Sequence, residues 1–158
     1  MKNTIFTITL ILVGLIATSC SSDSSDNNLN TAESLQAVTD LALSGTWVIS
    51  SFIESGTDET DDFTGYVFTF NSDGSLVADN GTMTVSGTWS VTSDDSSDDD
   101  DDYDSDDDID FNIFFAAPPT FEELTEDWDI VSRSASRIEL IDISGGNGGT
   151  DTLTFEKN

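Results

Sequence analysis

The chain has no histidine, one cysteine, two prolines, and four basic residues against 32 acidic ones, a formal net charge of -28 over 158 residues. Without histidine there can be no Ser-His-Asp triad, no Cys-His pair and no histidine-ligated metal. A lone cysteine excludes an intrachain disulfide and every CxxC metal or redox motif. Lys and Arg are too few to replace the counterions of a phosphate backbone, so nucleic acid is not an expected partner. No cofactor motif is present, and none is expected. The length suits one compact domain.

Only one long apolar stretch occurs, and it lies at the start. Lys2 supplies a short positive beginning, and Ile5 to Ala17 follows with Thr7, Thr9 and Gly14 as its only interruptions. That is shorter than the roughly 20 residues needed to cross a bilayer and suits a secretory leader. It ends in Ala17-Thr18-Ser19-Cys20, small residues directly before the cysteine. The arrangement resembles the lipobox of bacterial lipoproteins, with Ala17 standing where that family more often has Leu. The resemblance implies cleavage after residue 19, acylation of Cys20, and attachment to the cell envelope, at the outer membrane because Ser21 rather than Asp follows the cysteine. Acyl chains on Cys20 would meet the two-signal requirement for stable anchoring and remove a thiol that oxidises easily. Residues 20–30 read as the lipidated cysteine and a flexible Ser/Asp/Asn tether.

Thr31 to Leu43 is predicted as a short helix or lead-in. Leu35, Val38, Leu41 and Ala42 share one face, and Thr31 stands as N-cap. From Gly45 the hydrophobic period changes to two. Met83, Val85, Gly87, Trp89 and Val91 take one face of a strand over Thr82–Thr92, with Thr and Ser on the other. The same alternation groups Tyr66, Phe68 and Phe70, then Ile109, Phe111, Ile113 and Phe115. It also pairs Trp128 with Ile130, Ile138 with Leu140, and Leu153 with Phe155. Such patterning marks half-buried antiparallel strands. Asn71-Ser72-Asp73-Gly74 and Asp79-Asn80-Gly81 are hairpin signals, and Ser144–Gly149 is a longer glycine-rich connection. Pro118-Pro119 ends the Phe115 strand, and one helical turn over Thr120–Leu124, capped by Thr120, follows. About eight short strands joined by tight turns predict an all-β chain forming an antiparallel up-and-down barrel over residues 44–158.

Gly45-Thr46-Trp47 looks like the G-x-W signature of lipocalins. Taken with the run Tyr66–Leu76, Gly87-Thr88-Trp89 and Leu153–Lys157, the chain is similar to bacterial lipocalin-like lipoprotein domains from Leu43 to Asn158. It lacks the long helix that lipocalins carry after the main barrel strands. The resemblance implies a lipocalin-like barrel, and it transfers no particular ligand.

Three sets of residues are candidates for chemistry. Trp47, Phe70, Trp89, Phe111, Trp128 and Phe155 point inward, either to line a cavity for one small apolar ligand or to fill the barrel with side chains. The acidic stretch 93–108 reads as a solvated loop, and Asp104, Asp106 and Asp108 are its weak candidates for loose divalent-cation binding. An EF-hand is rejected there, because Ile109 and Phe115 stand where that loop needs Gly and Glu. The acid–base candidates Glu54, Asp58, Glu59, Glu122, Glu123, Glu126, Asp127 and Asp129 show no spacing that selects a pair, so catalysis is not expected. Arg133 and Arg137 flank a turn, where neutralising nearby acids is their expected role. The reading is a lipid-anchored envelope protein with a barrel that binds a small molecule or a partner. The alternative is a structural surface lipoprotein whose acidic loop binds cations.

Overall fold

The computed structural model describes residues 26–93, 109–143 and 149–158. Cys20, the leader, the acidic stretch with Asp104, Asp106 and Asp108, and residues 144–148 of the glycine-rich connection lie outside the described residues.

Helix α1 runs Asp26–Leu43 and leads into β1, Thr46–Glu54. It starts five residues before the expected Thr31, so residues 26–30, read from the sequence as tether, are helical. Val38 and Ala42 are fully buried, with Leu35 and Leu41 packed beside them. This is the face predicted from helical spacing. The helix lies against two barrel strands, β3 (Val67–Phe70) and β5 (Thr84–Ser93), and stops up one end of the barrel, here termed the near end.

The remaining strands are β2 (Thr57–Asp58), β4 (Ser75–Asp79), β6 (Ile109–Phe114), β7 (Glu126–Ser134), β8 (Arg137–Ile143) and β9 (Thr150–Lys157). Each pairs antiparallel with its neighbours in the order β2-β1-β3-β4-β5-β6-β7-β8-β9, and β9 returns to β1. The result is a closed eight-strand antiparallel barrel with β2 as one extra strand. Closure leaves no long open edge to recruit another chain. The expected count of about eight strands is met, and the ninth is the two-residue partner of β1.

The β1–β3 seam is the barrel's shortest, paired only at Thr46–Thr69 and Trp47–Phe68. Side chains and a turn complete it. The Phe52 N–H donates to Thr60 Oγ1 at 2.9 Å, and the Phe52 carbonyl accepts from the Glu59 N–H at 3.0 Å. A 3-10 turn at Thr60–Phe63 then drops Phe63 into the interior. Thr125 acts similarly past the end of β6. The Phe115 N–H donates to Thr125 Oγ1 at 2.9 Å, and the hydroxyl donates back to the Phe115 carbonyl at 3.2 Å. Thr125→Val keeps the shape and removes both bonds. It should cost about 1–3 kcal/mol, the range for a buried N–H left without a partner. A shift in urea midpoint equivalent to under about 0.5 kcal/mol would show that water replaces the hydroxyl.

The turns follow their chemistry. The Gly74 N–H reaches the Asn71 carbonyl at 3.0 Å with Gly74 at φ 82°, a value that favours glycine. Asn80 Oδ1 accepts from the N–H groups of Thr82 and Met83, at 3.0 and 2.8 Å. That bond corrects one expectation. Met83 was grouped with the inward residues of its strand, yet it belongs to the turn and is half exposed, because β5 begins only at Thr84. The helical turn after the prolines, α2, is Pro119–Glu122 and carries no side-chain cap, so Thr120 does not cap it as expected. Pro at its first position supplies the preset φ instead.

Candidate functional site

All six inward rings named from the sequence are in the core, none more than 7 % exposed. The structure brings three of them together. Phe70 meets Trp89 edge to face with centroids 5.1 Å apart and Phe111 at 5.4 Å; Trp89 and Phe111 are 5.8 Å apart. Of the other three, Phe155 reaches Phe70 and Trp128 is the cross-strand partner of Phe111. Trp47 sits at the near end, where its indole N–H donates to the Ala42 carbonyl at 2.9 Å and Lys157 Nζ lies 5.5 Å from its ring centre. Trp128 stands beside Phe52, centroids 6.5 Å apart, and donates to the Leu124 carbonyl at 3.2 Å.

Phe155 from that set, and rings outside it, occupy the space between. Phe155 touches both Phe68 and Phe70 at 5.5 Å, and Phe121 meets Phe63, Tyr66 and Phe115 at 5.0–5.4 Å. Ring contacts thus run from the trio to α2 at the far end, each in the offset or edge-to-face range that aromatic pairs favour. Phe63 and Phe121 were missed as core residues because neither lies in an alternating strand. Their only signal was an aromatic within a short polar segment.

The barrel's few cations lie at one end. The basic residues that follow the leader, Arg133, Arg137 and Lys157, all sit at the near end. Arg137 pairs with Glu139 at 2.6 Å and Glu156 at 2.9 Å, exposed bridges that contribute little. The far rim carries Glu54, Glu59, Asp62, Glu123, Glu126, Asp142 and Asp151. Among the described residues no group of three or more Asp, Glu, Cys or His is placed to hold a metal ion, and no helix is long and apolar enough to cross a membrane.

The rim's crowding alters two carboxyls. Burial first, then the charges of Glu54, Glu59 and Asp62, push the Glu123 carboxyl above the usual glutamate range. Glu126 is raised in the same way by burial, then by Asp142, Asp151 and Asp127. Exposed turn aspartates move the opposite way. Hydrogen bonds from Thr60 lower Asp58, those from Ser75 lower Asp73, and those from Thr84 and Gly81 lower Asp79.

These directions set the pH dependence. A carboxyl raised in the fold binds its proton more tightly there than in the unfolded chain, so its penalty is full at neutral pH. That penalty disappears as pH falls through the raised value. A lowered carboxyl contributes stability above its unfolded value and loses it as pH falls through the folded one. The melting temperature should therefore rise on acidification from pH 7 to about 5, then fall below about pH 4 as the turn aspartates protonate. Glu126→Gln should flatten the rising limb. A melting temperature falling steadily from pH 7 to 5 would contradict this.

A groove of about 590 Å³ lies outside the barrel, where β5, β6 and β7 meet. Thr88, Ser90, Asn112, Phe114, Thr125 and Asp127 are among its walls. None of the outward residues of β5 or β6 was singled out from the sequence, because an outward polar face is the ordinary complement of a buried one.

No protein-family model matches the chain, and no curated protein matches it in sequence. Among solved structures, a DUF4847 family protein from Bacteroides vulgatus is similar, with a TM-score of 0.45 and 17% identity. That match covers 77% of this chain and 97% of that one.

Proposed function

We propose that the chain is a lipid-anchored protein of the cell envelope, held at the outer membrane through acylated Cys20. Its lipocalin-like barrel would act as a small binding or interaction module without catalysis. The observation that carries this reading is the small-residue run ending in Cys20, six positions before a helix that packs into a closed barrel. A short leader followed by a cysteine and a compact module is the arrangement acylation serves: the lipid holds the domain at a surface, and the fold supplies recognition. The barrel's contribution is rigidity. Its interior rings are in mutual contact, which favours a filled core over an interior ligand cavity and shifts recognition to the outer surface.

The test is metabolic labelling with an alkynyl palmitate in a Gram-negative host, followed by membrane fractionation. Wild type should take up the label and co-sediment with outer membranes, and Cys20→Ala should do neither. A labelled Cys20→Ala protein, or an unlabelled soluble wild type, would overturn the anchor. As a check on the interior, the neutral lipophilic dye N-phenyl-1-naphthylamine should show no saturable binding to the wild-type protein. Stoichiometric binding that quenches the tryptophans would restore the interior cavity.

A further inference from the structure

We infer that the outer groove across β5, β6 and β7 is a binding site for a short neutral saccharide. The inference deepens the binding-module reading by giving it a surface and a ligand class; it does not depend on the anchor.

A singly exposed phenylalanine needs no explanation in itself. Phe114 differs in its setting. It is 53 % exposed on a strand whose other outward residues are polar, and it forms part of the wall of the 590 Å³ groove. The ladder fixes its neighbours. Thr88 lies directly opposite Phe114, Ser90 opposite Asn112, and Asn112 opposite Asp127. Cross-strand partners stand about 4.5–5.5 Å apart, and the next outward row along a strand is about 7 Å away. One flat apolar face is thus bordered by two hydroxyls, an amide and a carboxylate, all on sheet strands rather than loops. The amide is oriented, since Asn112 Nδ2 donates to Thr92 Oγ1 at 2.9 Å.

A pyranose presents complementary chemistry. Its C–H face is apolar and flat enough to lie on a ring, while its hydroxyls each donate and accept at the edge. Small-molecule sites typically occupy about 300–1,000 Å³; this groove falls within that range, is open to solvent along its length, and sets one apolar ring beside a few polar groups. Charge narrows the class. Glu126 and Asp127 border the groove, and all the basic residues beyond the leader are at the near end, so uronate or sulfated sugars meet repulsion with no cation to answer it. A purely apolar ligand would leave the hydroxyls and the amide desolvated without partners.

The experiment uses the full chain in lauryldimethylamine oxide micelles, a detergent without a sugar headgroup. Maltotriose, cellotriose, xylotriose, laminaritriose, mannotriose and chitotriose are titrated by calorimetry, with tri-galacturonate as the anionic control. At least one neutral trisaccharide should bind with Kd below about 1 mM. Phe114→Ala should weaken it at least about tenfold, and Asn112→Ala and Asp127→Ala several-fold. Val131→Ala, an exposed apolar change outside the groove, should leave it unchanged. All four positions are outward, and unchanged melting temperatures will separate lost contacts from lost folding. Three results would each overturn the site: no heat from any neutral trisaccharide at about 10 mM, binding indifferent to Phe114→Ala, or preference for tri-galacturonate. Concentration-dependent dimerisation abolished by Phe114→Ala would reassign the face to a protein contact. Cys20 labelling is read separately, so failure here leaves the anchor standing, and failure of the anchor leaves the groove to be judged by its own titration.

Discussion

Replacing Phe121 with alanine should lower the stability of the fold by about 3–5 kcal/mol, the range for removing a large buried ring. α2 is only Pro119–Glu122, too short to persist alone, since a helix nucleus costs more than one turn returns. Phe121 is the element's one buried side chain. Its ring touches Phe63 at 5.4 Å, Tyr66 at 5.0 Å, Phe115 at 5.1 Å and Phe68 at 6.2 Å. Three of those four belong to segments outside regular strands, so one ring ties the 3-10 turn, the start of β3 and the end of β6 to the far end of the barrel. Truncation would leave those rings without partners on one side, and the surrounding closed sheet limits their collapse. Phe114→Ala, seven residues earlier, should stay within about 0.5 kcal/mol because that ring is mostly in water. Urea unfolding of both variants provides the measurement. A loss below about 1 kcal/mol for Phe121→Ala would mean that α2 repacks or is dispensable. The variant should also begin to bind N-phenyl-1-naphthylamine at the opened far end, which wild type should not.

Legibility in the sequence followed periodicity. The strand faces of Trp89 and Phe111 were readable because alternation over five or more residues has one physical cause, a sheet with a wet side and a dry side, and the shorter pairs at Ile138 and Phe155 followed the same rule. The helical face of Val38 and Ala42 was readable for the corresponding reason at helical spacing. The start of α1 was not, because Asp26 to Asn30 lacks the apolar stripe on which the expectation relied. Met83 was misplaced by extending an alternation one residue into a turn whose geometry Asn80 governs, an i to i+3 side-chain bond that competes with strand pairing. The surrogate rungs of Thr60 and Thr125 were invisible, since a threonine in a polar connection gives no sign of which distant backbone group it will reach. The inward rings were identified, but whether they lined or filled the barrel depended on Phe63, Phe68 and Phe121 converging with them from separate segments. The groove was legible only as an unremarked outward face, and pairing was needed to set Phe114 beside Thr88 and Asn112.

The repeated Gly-Thr-Trp invites a second substitution, because its two glycines should respond in opposite ways. Gly45 and Gly87 each precede a buried tryptophan by two residues. At Gly45 an added methyl would find only Lys157 Cε, at 3.4 Å, which is ordinary contact with the far end of a flexible side chain. At Gly87 the same methyl would lie 2.3 Å from the Phe114 carbonyl oxygen and 2.7 Å from the Phe115 ring. Backbone cannot swing away as a side chain can, and Gly87 is held where the β5–β6 ladder begins, with Thr88 opposite Phe114 and Trp89 opposite Ile113, while Gly87 itself pairs with Leu76 of β4. Accommodation must therefore part the ladder where the chain leaves β6. Overpacking in such a place costs about 1–3 kcal/mol, and alanine's lower unfolded-state entropy offsets only about 0.4–1 of it. Gly87→Ala should lose about 1–2 kcal/mol on balance, while Gly45→Ala should stay within about 0.5. Phe115→Leu in the Gly87→Ala background should not restore stability, because the carbonyl collision remains after the ring is gone. Full rescue by that second change would assign the glycine's role to the ring alone, and equal effects at Gly45 and Gly87 would mean that the sheet is looser at this crossing than its pairing implies.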